Sequence, residues 1–391
     1  MFVAITATML VILGWACVSG TLWRWSVTAP LAMVVVGVLV GWASDDWLAT
    51  AINTTAAQRV VEFLLALFLF NDATEIRDRI ARGTGVTRLL LVAFPLSVVA
   101  ATALAGVLWP GMSWAVWLLL ACIVVPIDLV PAQTVLRDPR VSERVRHTIN
   151  VESGFNDGLV APVFGFALAA ATASTHAGAA LADALPAMLY AVLLGVPVGA
   201  VAGLGMSRAA GRGWTDPRAM RIGTLAIPVL AYSATVAIGG NGFVAAFLAG
   251  LAYRATHGEI EGEPLELTED LAQFCSLGLW FAVGNIAVGV PWLDWRVLVY
   301  GLLALTVVRT VPVAISMLGS RFSWRERLLL GWLGPRGVAS IVFGLLAING
   351  LTGEGDIELA VGVTVVVVTG SVVLHGLGAP FLADRYGTRH A

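Results

Sequence analysis

The chain has 391 residues, 58% of them hydrophobic and 12% charged, with a formal net charge of -2 and a mean hydropathy of +0.87. Globular domains carry about 25% charged residues, so half the usual charge is missing. That excludes a soluble enzyme, a disulfide-stapled secreted domain, a disordered chain and a nucleic-acid binder, and leaves a polytopic membrane protein with little mass outside the bilayer.

Apolar runs of spanning length fall near 2–19, 28–43, 57–75, 88–109, 113–136, 147–172, 181–206, 220–239, 241–254, 267–289, 295–319, 325–349 and 357–383. The count is thirteen, with twelve as the alternative because the second and ninth runs are short. The N-terminus lacks a basic region before its first run and reads as a retained helix rather than a cleaved signal. The tail after residue 383 is too short for a regulatory domain, so the expectation is one membrane domain over 1–391 with no soluble appendage.

All 23 basic residues are arginine. Those in loops after odd-numbered spans include Arg77, Arg79, Arg82 and Arg88, then Arg137, Arg140, Arg144 and Arg146, then Arg208, Arg212, Arg218 and Arg221. Loops after even-numbered spans hold only Arg59 and Arg296. Positive charge collects in cytoplasmic loops, which places the N-terminus outside and the C-terminus inside. The alternation supports thirteen spans.

The intramembrane polar groups come next, in chain order. Asp72 lies at the cytoplasmic end of span three, as either a funnel residue for cations or a solvated helix end. Span five carries Asp128 between Pro126 and Pro131. Each proline removes an N–H and frees the carbonyl four residues back, those of Cys122 and Ile127. Asp128 therefore sits in a broken stretch, tolerated at membrane depth only where protein or a water-filled cavity surrounds it; the plainer reading is a kink in which Asp128 caps the lower half-helix.

Span six carries Glu152, Ser153, Asn156 and Asp157 within two turns, an oxygen-rich stripe suited to a hard cation or a proton. Arg309 and Arg336 are the two arginines inside apolar spans. Each costs at least about 2.5–3.5 kcal/mol there and needs a partner or a wet cavity. Arg336 lies in Gly334-Pro335-Arg336-Gly337, a second break, seven spans after the first. Interrupted spans at corresponding places in two halves point to an inverted-repeat transporter site, with repeats near 1–172 and 220–383 and a connector near 181–206.

Other features carry less. Cys17, Cys122 and Cys275 are isolated small core residues. The acidic loop from Glu259 to Asp270 reads as a solvated face. His147, His176, His257, His375 and His390 are scattered and form no metalloprotease motif. Gly158, Gly165, Gly199 and Gly203 read as sites of close helix packing.

The stretch CIVVPIDLVPAQTVLRDPRVSERVRHTINVESGFNDGLVAPVF and the later ERLLLGWLGPRGVASIVFGLL resemble the NhaP/NHE-type monovalent cation/proton antiporters, as do EFLLALFLFNDATEIR and VVRTVPVAIS. The resemblance implies an all-α polytopic fold of about thirteen transmembrane helices, in two inverted six-helix repeats with two broken, crossing helices. It also implies a homodimer in the cell membrane. By the same resemblance Asp157 takes Na⁺, K⁺ or H⁺, with Asn156 as its neutral neighbour, and Ser153 and Asp128 are further site residues. Glu152 resembles the acidic partner of an intramembrane arginine, with Arg309 as the first candidate and Arg336, at the crossover, as the other.

One residue departs from the family pattern: Ile127 stands where a Thr is usual, beside a bulky Leu129. A lost hydroxyl would change affinity or ion choice, whereas a role through the backbone carbonyl would be unaffected. The expected activity is electroneutral exchange of one Na⁺ or K⁺ for one H⁺, competing at Asp157, without cofactor or enzymatic chemistry. The alternative is proton-coupled transport of another substrate, such as an organic cation.

Overall fold

The computed structural model describes residues 2–25, 27–43, 55–76, 84–132, 141–172, 177–258, 264–290 and 294–378. The stretches carrying Arg77, Arg79 and Arg82, Arg137 and Arg140, Glu259, Glu261 and Glu263, His176, and everything from residue 379 lie outside them. Among the described residues there are fourteen α-helices and no strand.

In chain order the helices are α1 (Phe2–Arg24), α2 (Ala29–Ala43), α3 (Thr55–Glu75), α4 (84–108), α5 (Trp114–Val124), α6 (Glu143–Thr172) and α7 (Ala177–Gly211). There follow α8 (Pro217–Ala237), α9 (Gly242–His257), α10 (Glu266–Ile286), α11 (295–316), α12 (Trp324–Trp332), α13 (Val338–Gly350) and α14 (Glu354–Ser371). Each predicted span holds a helix, and among the described residues seven helices are long and apolar enough to cross a membrane. Arg59 and Arg296, assigned to loops, instead sit near the starts of α3 and α11.

Helix starts follow local chemistry. Ser113, Asp216, Asn241 and Asp294 accept N–H groups at the starts of α5, α8, α9 and α11, and Ser323 with Glu326 forms a capping box on α12. Each cap satisfies donors that have no partner within the helix and contributes about 1 kcal/mol. Prolines and glycines end the helices: α5 stops at Val124 ahead of Pro126, and α12 stops at Trp332 ahead of Gly334-Pro335.

The chain forms two compact units. The first comprises residues 1–58, 79–156 and 276–391. Its core includes Leu89, Val145, Ile149, Met317, Leu329 and Leu333, all buried. At one end of this unit, Arg144 lies 3.8 Å over the Phe322 ring and donates to the Arg321 carbonyl, while Ser142 donates to Glu326 at 3.0 Å. The residues that follow spans five and eleven are thus joined.

The second unit comprises residues 59–78 and 157–275. There α7 lies against α9, where a Cβ on Gly195, Gly199 or Gly203 would strike the backbone of Ala245, Ala249 or Tyr253. The small residues set how closely these helices pack.

Candidate functional site

Both predicted breaks are present, and both belong to the first unit. After α5 the chain runs without helix from 125 to 129, then makes a single 3₁₀ turn, Val130–Ala132. The second break separates α12 from α13 at 333–337. The two stretches touch through the backbone, the Asp128 N–H donating to the Pro335 carbonyl at 2.9 Å.

Asp128 uses both carboxylate oxygens. Oδ1 accepts the Val130 N–H and Oδ2 the Val338 N–H, each at 2.9 Å. Val338 is the first residue of α13, so the acid caps the positive end of the other broken helix. The lower half-helix of its own span, which sequence reasoning offered as its partner, is only that 3₁₀ turn among the described residues. Gly337 must be glycine, because a Cβ there would fall on the Asp128 carboxylate.

Arg336, 1% exposed, returns the arrangement with opposite sign. Its guanidinium donates to the carbonyls of Val124, Gly334 and Ala304. Val124 ends α5, and Ala304 lies at the end of the first segment of α11, Trp295–Leu305. A cation therefore sits at the negative ends of two helices.

Arg309 is held differently. It forms a bidentate pair with Glu152, Nη1 to Oε1 at 2.9 Å and Nη2 to Oε2 at 3.0 Å. Nη2 also donates to the carbonyls of Leu330 and Leu333, at 3.0 and 3.1 Å, closing the end of α12. A Cβ on Gly334 would collide with this arginine. Planar two-point pairing of this kind is specific to arginine.

On α6, the Ser153 hydroxyl donates to the Ile127 carbonyl at 2.8 Å. That is the carbonyl freed by Pro131, so two of the predicted site oxygens are adjacent. The Ile127 side chain is buried. Asn156 is buried, its Oδ1 without a hydrogen-bond partner, and it lines a cavity of about 10 Å³ with Ser97, Glu152, Arg309 and Arg336. A space of that size holds about one water. Asp157, 6% exposed, is the next residue on α6 and begins the second unit. Asp72 is half-buried near the end of α3 in that second unit.

Sequence reasoning missed three residues. Ser97 follows a π-helical turn, Leu89–Ala93, that ends at Phe94-Pro95; the proline in span four was the available signal, and such turns recur at functional sites. Ser371 and His375, four apart in a valine-rich run, lie at the second break.

The sequence model described as "Sodium/hydrogen exchanger, transmembrane" matches residues 7–385. The chain belongs to the sodium/hydrogen exchanger family. Curated members similar to this exchanger-family chain include the Na(+)/H(+) antiporter of Schizosaccharomyces pombe, 28% identical over 53% of this chain and 47% of its own length. The K(+)/H(+) antiporter NhaP of Alkalimonas amylolytica is 25% identical over 95% of this chain and 66% of its own. The chain spans 41% to 56% of the length of the Zygosaccharomyces rouxii and Shewanella antiporters it also matches. Among solved structures, the sodium proton antiporter MjNhaP1 of Methanocaldococcus jannaschii superposes with a TM-score of 0.76 at 18% identity, covering 98% of this chain and 99% of that one. The exchanger-family chain thus shares an NhaP-type membrane fold.

Proposed function

We propose that the protein exchanges a monovalent cation, Na⁺ or K⁺, for H⁺, with both competing for Asp157. The observation that carries this reading is the oxygen-rich stretch of α6. Asp157 is buried in mid-helix, one turn beyond a serine whose hydroxyl meets a freed carbonyl at the helix crossing. An acid at membrane depth is expensive and by default functional, and its oxygen neighbours suit a hard, partly dehydrated cation.

Either a proton or a cation neutralises Asp157, and only the neutral forms cross the barrier cheaply. That competition enforces exchange. Ser153 and the Ile127 carbonyl supply neutral oxygens. Asp128, Arg336 and the Glu152–Arg309 pair hold the crossing in shape, and Asp72 is a funnel residue on the approach. Asn156 adds no second charge, so one cation exchanges for one proton. The membrane potential, worth about 2.3 kcal/mol per charge per 100 mV, then does no work.

Access alternates by movement of the site between the two faces. In this reading the chain is a single membrane domain of thirteen spans, in inverted repeats near 1–172 and 220–383. It functions as a homodimer in the plasma membrane, N-terminus outside and C-terminus in the cytoplasm. The names of relatives include both sodium and potassium antiporters, so both ions belong in the test.

That test is proton flux in liposomes with a trapped pH dye, adding Na⁺, K⁺ or Li⁺ with and without a valinomycin clamp. Wild type gives a cation-specific, potential-independent signal, and Asp157→Asn gives none while staying folded. Substantial flux in Asp157→Asn would overturn the single-carboxylate reading. Silence for every alkali cation in the wild type would move an organic cation to the front.

A further inference from the structure

The second break leaves two main-chain groups that its flanking helices do not serve. The Arg336 N–H precedes the start of α13, and the Trp332 carbonyl ends α12. Away from water, such groups need partners. Ser371 Oγ accepts the Arg336 N–H at 2.6 Å, and His375 Nε2 lies 3.1 Å from the Trp332 carbonyl oxygen, which also accepts the Gly334 N–H. Ser371 Oγ and His375 Nδ1 are 3.2 Å apart. His375 is fully buried in the π-helical turn Val372–Leu377 that continues α14, with its ring tilted against the Trp332 indole.

Nδ1 also lies 3.3 Å from the Ser371 carbonyl oxygen, within its own helix. One arrangement of hydrogens joins the ring to the break. Having accepted from Arg336, the serine hydroxyl gives its own hydrogen to Nδ1. The ring proton is then on Nε2 and goes to the Trp332 carbonyl. With the proton on Nδ1, it would turn to the Ser371 carbonyl, and a ring lone pair would face the Trp332 oxygen, leaving the break without that donor.

We infer that Ser371 and His375 form a clasp across the second break, making His375 a positioning residue for the helix crossing. It ties α14 to both rims of residues 333–337, the stretch that receives Asp128 and carries Arg336. His375 touches neither Asp157 nor Ser153 in any contact described above, so it acts through the shape of the break. Glutamine can reproduce both bonds, its amide N–H meeting the Trp332 carbonyl and its oxygen accepting the serine hydroxyl. Leucine fills the space and makes neither bond.

The consequence for transport rests on the exchange reading above, whereas the clasp itself does not. His375→Leu, His375→Gln and Ser371→Ala are therefore compared in two ways. The first is hydrogen exchange of the amides in 334–338 in detergent; the second is cation-driven proton flux in liposomes. His375→Leu and Ser371→Ala are expected to speed exchange at Arg336 by about tenfold or more, since a local opening governs that amide. His375→Leu is expected to lower kcat by at least roughly tenfold with KM little changed, as misplacement of site groups does. His375→Gln restores both readouts. Wild-type exchange in both His375→Leu and Ser371→Ala overturns the clasp, as does a glutamine variant that behaves like the leucine one. If His375→Leu does not fold, Ser371→Ala decides by exchange alone. If the wild type moves no alkali cation, the transport reading fails and the exchange measurement still decides the clasp.

Discussion

In the first interrupted stretch, residues 125–129, Pro126 and the Pro131 that follows break the helix, and the charge is an acid. In the second, residues 333–337, Gly-Pro-Arg-Gly breaks it and the charge is a base. Each charge serves the other break as well as its own. Asp128, from the first, caps the start of α13 in the second; Arg336, from the second, closes the end of α5 in the first. Breaking a helix at membrane depth exposes N–H groups on one side and carbonyls on the other. Crossing two breaks lets one acid and one base answer both needs, and fixes each break by the other's presence. The Glu152–Arg309 pair is a contrasting solution, in which two charges neutralise one another and only the surplus donors of the arginine reach carbonyls.

If the exchange of caps is what holds the crossing, its largest test is Arg336→Met. The substitution keeps apolar bulk but leaves the carbonyls of Val124, Gly334 and Ala304 without that donor. Each buried group left unmet costs about 1–3 kcal/mol, so a loss of about 3 kcal/mol or more is expected, seen as a large fall in thermal midpoint in detergent. Lysine should recover only part, because it lacks the planar fork. A midpoint within a degree or so of wild type would mean that the carbonyls are met elsewhere.

The opposite cap gives a smaller effect. Asp128→Ala removes acceptors from Val130 and Val338 together, and lost helix caps cost about 0.5–2 kcal/mol. Asp128→Asn keeps one oxygen and should fall between alanine and wild type. Asp128→Ala should also speed exchange of the Val338 amide, in a different helix from the substitution. Faster exchange confined to Val130 would show that Asp128 serves its own stretch, and the comparison between the breaks would fail.

How legible was this in the sequence? The breaks were, because proline and glycine act locally, and Asp128, Arg309 and Arg336 stood out inside apolar runs, because charge there is expensive. The partners of Asp128 and Arg336 were less legible, whereas Arg309 was already the first candidate for Glu152. Asp128 meets Val338 across 210 residues and Arg336 meets Val124 across 212, and no local spacing encodes either contact. Ser371 and His375 were passed over for a related reason: a serine and a histidine one turn apart gain meaning only when the ends of another helix are set against them. Ser97 needed the π-helical turn before it, which Pro95 hinted at without specifying.

Ile127→Thr is the smallest and most discriminating change. The position departs from the family pattern, yet its carbonyl accepts the Ser153 hydroxyl at 2.8 Å and its side chain is buried. If the position acts through that carbonyl, restoring threonine leaves the oxygen where it is and adds a hydroxyl to a packed apolar site. Cation KM and ion preference should then stay within about twofold of wild type, since no transported ion gains or loses a ligand. The thermal midpoint should drop slightly for the buried hydroxyl. A KM lowered by roughly tenfold, about 1.4 kcal/mol of added cation binding where KM reports affinity, would show instead that the threonine side chain is a ligand. The first break would then reach the ion through a side chain as well as through its backbone, while the second would still contribute only shape.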